Sequence, residues 1–446
     1  MRGLWSSGHD RNSRHEWTET ASFSFYPRLV MFTALHRSLG LPPSRLTDEI
    51  LDQAIHAGVS ESDDLDWKSD LPPQSGLAQT DVPKDIAAMA NSGGGMIVYG
   101  VTEKQKAATG RRHIGDFTED HERTFRRVAV TAITPPVFGL EILRLGEDPC
   151  AVAVIVPASV DGPHLIFRGE YFGAPIRNHA DTEWMKERQI ETMYRARFDE
   201  RRRSSEAVDL LYAEQAAGKD TAQRAWVIAV AHPRIPGPLV RLRRDEARTI
   251  FQQAEKVSLS YSSNKAVHPL GNIDRLNPRP GLRRWVGPNN ATSDRSLWRE
   301  AWASAHHDGS ITLTAVVGGH RKSSGAHFEG WEVEAQAVEA AIADFTALIR
   351  ATATVLHHGE YDVSVGLAWT GEEHLKLLTV DGMGFTYDGV STPLSHYSPV
   401  RSTVDAAVSD AAFHQQVHEL AQDCVNQGGI THLHVIDEPP TEAEEG

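Results

Sequence analysis

Cysteine is almost missing from this chain: Cys150 and Cys424 are the two in 446 residues, and they lie far apart. That excludes a disulfide scaffold and a four-cysteine zinc site, and it fits a reducing, cytoplasmic compartment. Long apolar runs are missing as well. With no stretch of about 18 apolar residues, no membrane span is expected, and no secretory hydrophobic segment is seen. Positive charge is in short supply, with 45 Lys and Arg against 60 Asp and Glu, a formal net charge of −15. Such a balance argues against coating nucleic acid by bulk charge, so any phosphate partner must meet a local basic patch. A G-x-x-x-x-G-K-[ST] segment is absent too, so no Walker-type ATP cradle is expected.

The chain is too long for one typical core, and its 40% hydrophobic and 24% charged residues are ordinary for globular protein, so two domains are the default expectation. Residues 1–30 lack periodicity and are expected to lack fixed structure, with Met31 as an alternative start. Helices are expected at 30–39 and 46–57, separated by Pro42 and Pro43. The most informative stretch follows. Residues 61–68 read as an acidic strand. Asp81 and Pro83 then open a short helix, in which Ile86, Met89 and Ala90 share one face. Asn91 and three glycines end it, and 96–101 reads as a short apolar strand.

Further along, a helix is expected at 120–132, a buried strand at 150–156, and a hairpin of 165–168 with 171–177 across Gly169-Glu170. A long helix from about 182 places Ile190, Met193, Tyr194 and Phe198 on one face. The basic run Arg195, Arg197, Arg201, Arg202 and Arg203 sits at its end, where it either complements the helix dipole or touches phosphate. A polar stretch at 218–223 marks a boundary. The organisation expected is therefore a terminus at 1–30, a first domain at 31–217, a second α/β domain at 218–437 and an acidic tail at 438–446. In the second domain, helices are expected at 244–254, 333–355 and 404–426, and strands at 225–231, 311–317, 361–369, 374–380 and 431–436. The 361 and 374 strands have hairpin spacing, and 262–295 reads as a long loop.

Three other patterns have plainer explanations. His414 and His418 have zinc-helix spacing, but Gln415 stands where a metalloprotease needs its glutamate, and His432 and His434 alternate near the end. Trp285, Trp298, Trp302, Trp331 and Trp369 could stack on bases or pack in a core. The segment 426–430 echoes 91–96, as any glycine-capped helix entering a strand would.

Asp66-Trp67-Lys68 and Ala90-Asn91-Ser92-Gly93-Gly94-Gly95-Met96-Ile97-Val98-Tyr99-Gly100, followed by Gly162-Pro163-His164 and the segment from Tyr171 to Arg177, resemble the Schlafen-type AlbA-like domain. The resemblance covers roughly residues 45–200. It implies a mixed-sheet, AlbA-like N-terminal domain ahead of the second unit, an α/β (α+β) chain, and binding of RNA or DNA. Related proteins cut RNA with carboxylates and a divalent cation, so the resemblance also implies Glu61 and Asp66 as ligands of Mg²⁺ or Mn²⁺, with Lys68 beside them. Asp66 replaces the family's glutamate, and Glu103 is a nearby candidate for the third carboxylate. Binding without cutting would use Lys68, Lys84, Asn91, Gly93, Gly94, Arg177 and Asn178 around the glycine turn. A regulatory protein that binds a partner or small ligand through its second half is the alternative, and a homo-oligomer is compatible with either reading.

Overall fold

The computed structural model describes residues 31–440 apart from 236–240, 265, 292, 357, 382–385 and 388–390. The expectations for 1–30, and for most of the acidic tail, lie outside the described residues. Among those described, no helix is long and apolar enough to cross a membrane.

The first unit contains, in chain order, α1 (Ala34–Leu39), α2 (Asp48–His56), β1 (Leu65–Lys68), α3 (Val82–Asn91), β2 (Gly95–Tyr99), β3 (Val101–Lys104) and β4 (Ala107–Arg111). It continues with α4 (Glu119–Thr131), β5 (Ile133–Thr134), β6 (Glu141–Leu145), β7 (Ala151–Val156), β8 (Leu165–Arg168), β9 (Tyr171–Gly173), β10 (Pro175–Asn178) and β11 (Asp181–Trp184). Its central sheet runs β1-β2-β7-β6, with β1 parallel to β2 and the other pairs antiparallel. Helices cover both faces, which is why β2 and β7 read as unbroken apolar runs. The period of two divides them. Ile97, Tyr99, Val152 and Val154 pack against Ile86 and Met89 of α3 and Phe125 of α4. Met96, Val98, Ala151 and Ala153 pack with Leu65 and Trp67 against Leu35 of α1 and Leu51 of α2.

Pro83 stands in the first turn of α3, where its missing N–H costs nothing. The helix ends where the Gly94 N–H donates to the Met89 carbonyl at 2.9 Å. Gly94 has φ +89°, and a Cβ there would lie 2.7 Å from the Ala158 nitrogen, so glycine is required at this turn.

The single strand expected at 171–177 is two strands. β9 pairs with β8, while β10 pairs with β11. The break falls at Ala174-Pro175, where proline has no N–H with which to extend a ladder. The long helix starts later and runs further than expected: β11 occupies 181–184, and α5 (Glu187–Ala216) has 30 residues. The basic run therefore lies in mid-helix. Arg195, Arg202 and Arg203 pair with Glu191, Asp199 and Glu200 one turn back, so these three arginines complement helical neighbours and not the helix dipole.

The second unit comprises β12 (Trp226–Pro233), α6 (Arg244–Ser258), β13 (Arg279–Gly281), β14 (Arg284–Gly287), β15 (Ala301–His306), β16 (Ile311–Val316), β17 (Glu332–Glu334) and α7 (Ala335–Leu356). It closes with β18 (Glu360–Ala368), β19 (Lys376–Val380), β20 (Thr386–Tyr387), β21 (Val400–Asp405) and α8 (Asp410–Asn426). A seven-stranded antiparallel sheet, β13-β14-β15-β16-β12-β18-β21, is its backbone. Val227, Ala229, Leu313, Val363 and Val365 face α6, α7 and α8 through Phe251, Phe345 and Phe413. Trp226, Ile228, Val230 and Val316 face the other way, onto Val208 of α5. Helices on an antiparallel sheet, beside the mixed sheet of the first unit, make the chain α+β.

Four expectations in this unit are corrected, the first being the helix expected at 404–426, which starts at 410 because 400–405 is β21 on the edge of the sheet. The strand at 361–369 does not pair with that at 374–380: β18 lies between β12 and β21, and β19 joins β17 and β20. The loop expected at 262–295 contains β13 and β14 at the sheet edge. Residues 431–436 form no strand. Their N–H groups turn instead to the Glu339 carboxylate, which accepts from His434, Val435 and Ile436.

Candidate functional site

A cleft of about 640 Å³ opens in the first unit between β1, the first turn of α3, the β3–β4 hairpin and the β10–β11 hairpin. Strand alternation builds its floor. Leu65 and Trp67 enter the core, and the Trp67 indole N–H donates to the Val59 carbonyl at 3.0 Å. Asp66 and Lys68 project to the other side, into the cleft.

Asp66 is held between two cations. Arg177 Nη1 donates to its Oδ1 at 3.1 Å, and Lys68 Nζ stands 2.7 Å from its Oδ2. Arg177 and Asp66 are each 3% exposed in their side chains. Arg177 also donates to Thr182 Oγ1 at 3.3 Å and to the Ser62 carbonyl at 3.3 Å, so it ties β10 to β11 and to the segment before β1.

Asp85, in the first turn of α3, is the second buried acid. Lys68 Nζ and Lys84 Nζ each lie 3.8 Å from one of its oxygens. Burial pushes its carboxyl up to about 6, against the pull of Lys68 and with help from Asp66. Burial draws the Lys68 ammonium down, but Asp66 and Asp85 outweigh it and leave the group raised. Behind them, burial and these two carboxylates hold the Tyr99 hydroxyl well above its ordinary value. Glu61 accepts the Trp67 backbone N–H at 3.1 Å on Oε1, and burial, with Asp66 and Glu103 nearby, raises its carboxyl.

Glu61, Asp66, Lys68, Lys84, Glu103 and Arg177, far apart in sequence, therefore share one cleft. Four other candidates do not line it. Asn91 is buried, and its amide donates to the His164 and Pro175 carbonyls at 2.9 and 2.8 Å while its oxygen accepts the His164 N–H at 2.7 Å. It fastens α3 to the later turn and strand. Gly93 and Gly94 shape the turn after α3, and the Gly94 amide is taken by Met89. Asn178 donates to Glu183 across the hairpin at 2.9 Å. Sequence reading missed Asp85, Lys106, Asp181 and Thr182, all of which line the cleft. Asp85 carried a signal, as an acid inside a helix whose neighbours Val82, Ile86, Ala87 and Ala88 are all apolar. The other three arrive by tertiary approach of hairpins, which no local pattern encodes.

The expected cation on Glu61 and Asp66 does not suit this donor set. Arg177 and Lys68 already neutralise Asp66, and one oxygen of Glu61 holds the Trp67 amide. Among the described residues no group of three His, Cys, Asp or Glu could hold a metal ion.

Comparison with known proteins agrees on the first unit. No curated protein matches the chain. Among solved structures, the DIP2311 protein from Corynebacterium diphtheriae aligns at 13% identity with a TM-score of 0.23, over 47% of this chain and 33% of that one. The chain thus spans about a third of that protein's length, and a likeness so slight carries no argument. Residues 61–185 match the family model described as Schlafen, AlbA_2, and the residues lining the cleft all fall within that stretch.

Proposed function

We propose that the cleft binds nucleic acid through its phosphates, with Lys68, Lys84 and Lys106 as the cations that meet them. The observation that carries this reading is the layering of charge. The three lysine side chains remain 38%, 25% and 43% exposed, whereas Asp66 and Asp85, which hold the first two in place, are 3% and 7% exposed. Lys84 and Lys106 also pair with the solvated Asp81 and Asp181, at 3.1 and 2.6 Å, so phosphate would take the place of exposed carboxylates and leave the buried Asp66 and Asp85 where they are. Arg177 has a supporting part: it holds the wall from behind.

The full chain is titrated into labelled RNA and duplex DNA across a salt series. Lys84→Ala with Lys106→Ala is expected to weaken binding and to shallow the dependence of log K on log salt by about 0.7–0.9 for each phosphate left without its lysine. Unchanged affinity and slope would remove this cleft. Cutting by Mg²⁺ or Mn²⁺ through Glu61 and Asp66 is not favoured by the donor set, in which Arg177, Lys68 and the Trp67 amide already occupy the carboxylate oxygens. Product bands on adding Mn²⁺, absent in Glu61→Gln with binding retained, would restore it.

A further inference from the structure

The two hairpins next to the cleft carry large rings into solvent. Phe167 of β8 and Phe172 of β9 are cross-strand partners with ring centroids 5.9 Å apart, yet they are 59% and 62% exposed. Tyr171 is 78% exposed, and Trp184 of β11 is 50% exposed. Trp184 lies across Gly173, where a Cβ would come within 2.7 Å of its ring, so the absence of a side chain there lets the indole lie against the hairpin. The exposed apolar residues of these strands are rings alone. Leu165, Ile166 and Ile176, the aliphatic residues of the same strands, are buried or half-buried. A surface for an apolar peptide would present branched chains as well, whereas rings with open faces are what unpaired bases stack on.

Of these rings, Trp184 and Tyr171 share one side: Tyr171 is on the same face of β9 as Gly173, over which Trp184 lies, whereas Phe167 and Phe172 point to the opposite face. Trp184 lies two residues along β11 from Thr182, which lines the cleft and accepts from Arg177. Two residues along a strand share a face.

We propose that these hairpins form a base-stacking platform for single-stranded nucleic acid, whose backbone runs from the cleft lysines onto Trp184 and Tyr171. This rests on the phosphate-binding reading of the cleft and adds to it the strandedness of the substrate. Duplex, with its bases already stacked on one another, gains nothing from the rings.

The test uses the full chain and three fluorescein-labelled 12-mers: a single strand of mixed sequence, a wholly abasic strand, and a duplex. The mixed strand should bind at least about tenfold more tightly than the abasic one. Tyr171→Ala should weaken the mixed strand about 5- to 100-fold and leave the abasic strand unchanged, whereas Phe172→Ala, on the opposite face, should alter neither. Both rings are exposed, so these variants keep the fold, and circular dichroism checks that they do. Equal affinity for mixed and abasic strands, unaffected by the variants, would overturn the platform while leaving the cleft reading intact. Variants that leave single-strand binding alone but convert a dimer to a monomer in light scattering would assign the rings to a second copy of the chain and overturn it too. Binding of none of the three probes would overturn both readings together.

Discussion

Asp66 has two cationic partners, and they are not equivalent. Arg177 is buried with it, whereas Lys68 is partly solvated. Arg177→Ala leaves the buried Asp66 with the partly solvated Lys68 alone and frees the β10–β11 hairpin, so it should lower the unfolding free energy by about 1–3 kcal/mol. Lys68→Ala leaves Arg177 in place and should cost about 1 kcal/mol or less. Urea titration of the two variants separates these outcomes, and equal losses would contradict the assignment. Asp85 gives a pH signature. Its folded carboxyl is raised to about 6 from an ordinary value of 3.8, so folding favours the protonated form. The stability it contributes is present below the unfolded value and is lost as pH rises from about 4 to about 6. Asp85→Asn removes this titration. The variant should therefore gain on wild type steadily across that window in denaturation midpoints, and a constant difference would show that Asp85 does not titrate there.

Glu339 shows how one side chain can replace an element of structure. Its Oε2 accepts N–H groups at 2.8, 2.6 and 3.4 Å from three successive residues of the final segment. Glu339→Ala should cost about 1–3 kcal/mol through the orphaned donors and speed amide exchange at His434, Val435 and Ile436. Glu339→Gln retains an acceptor and should do less. The same interaction explains why 431–436 misled the sequence reading: alternation reports burial on one side, and a carboxylate 95 residues away supplied the pairing that a strand would have. Elements whose signals were local were legible. The period of two at Asp66 and Lys68, the proline-opened α3 and the glycine turn follow from residues within reach of one another. Strand partners were not, since β18 and β19 have ideal hairpin spacing yet join different sheets. The site divides along the same line. Asp66 and Lys68 were visible by strand phase, while Asn91 looked available because its partners, His164 and Pro175, lie 73 and 84 residues downstream.

On the scale of the whole chain, α5 decides how the two units behave when separated. Its first half meets the first unit, where Arg201 donates to Asp161 at 2.9 Å; Arg234 of the second unit reaches the same carboxylate at 3.2 Å. Its second half belongs to the other sheet. Val208 packs with Trp226, Ile228, Val230 and Val316, and Leu211 and Tyr212 pack beside them. Composition places the boundary near Gly218, which would strip this helix from the sheet it covers. A fragment 218–446 should expose the fully buried Trp226, Ile228 and Val230, at about 1.5–3 kcal/mol for each large side chain returned to water, and an open apolar face of that kind invites association. The fragment 187–446 retains its cover and should remain monomeric with a cooperative thermal transition. Expression of both fragments, followed by light scattering and a melting curve, compares them directly. If 218–446 is monomeric and melts at the same temperature as 187–446, α5 contributes nothing to the second unit and the division belongs at Gly218 after all.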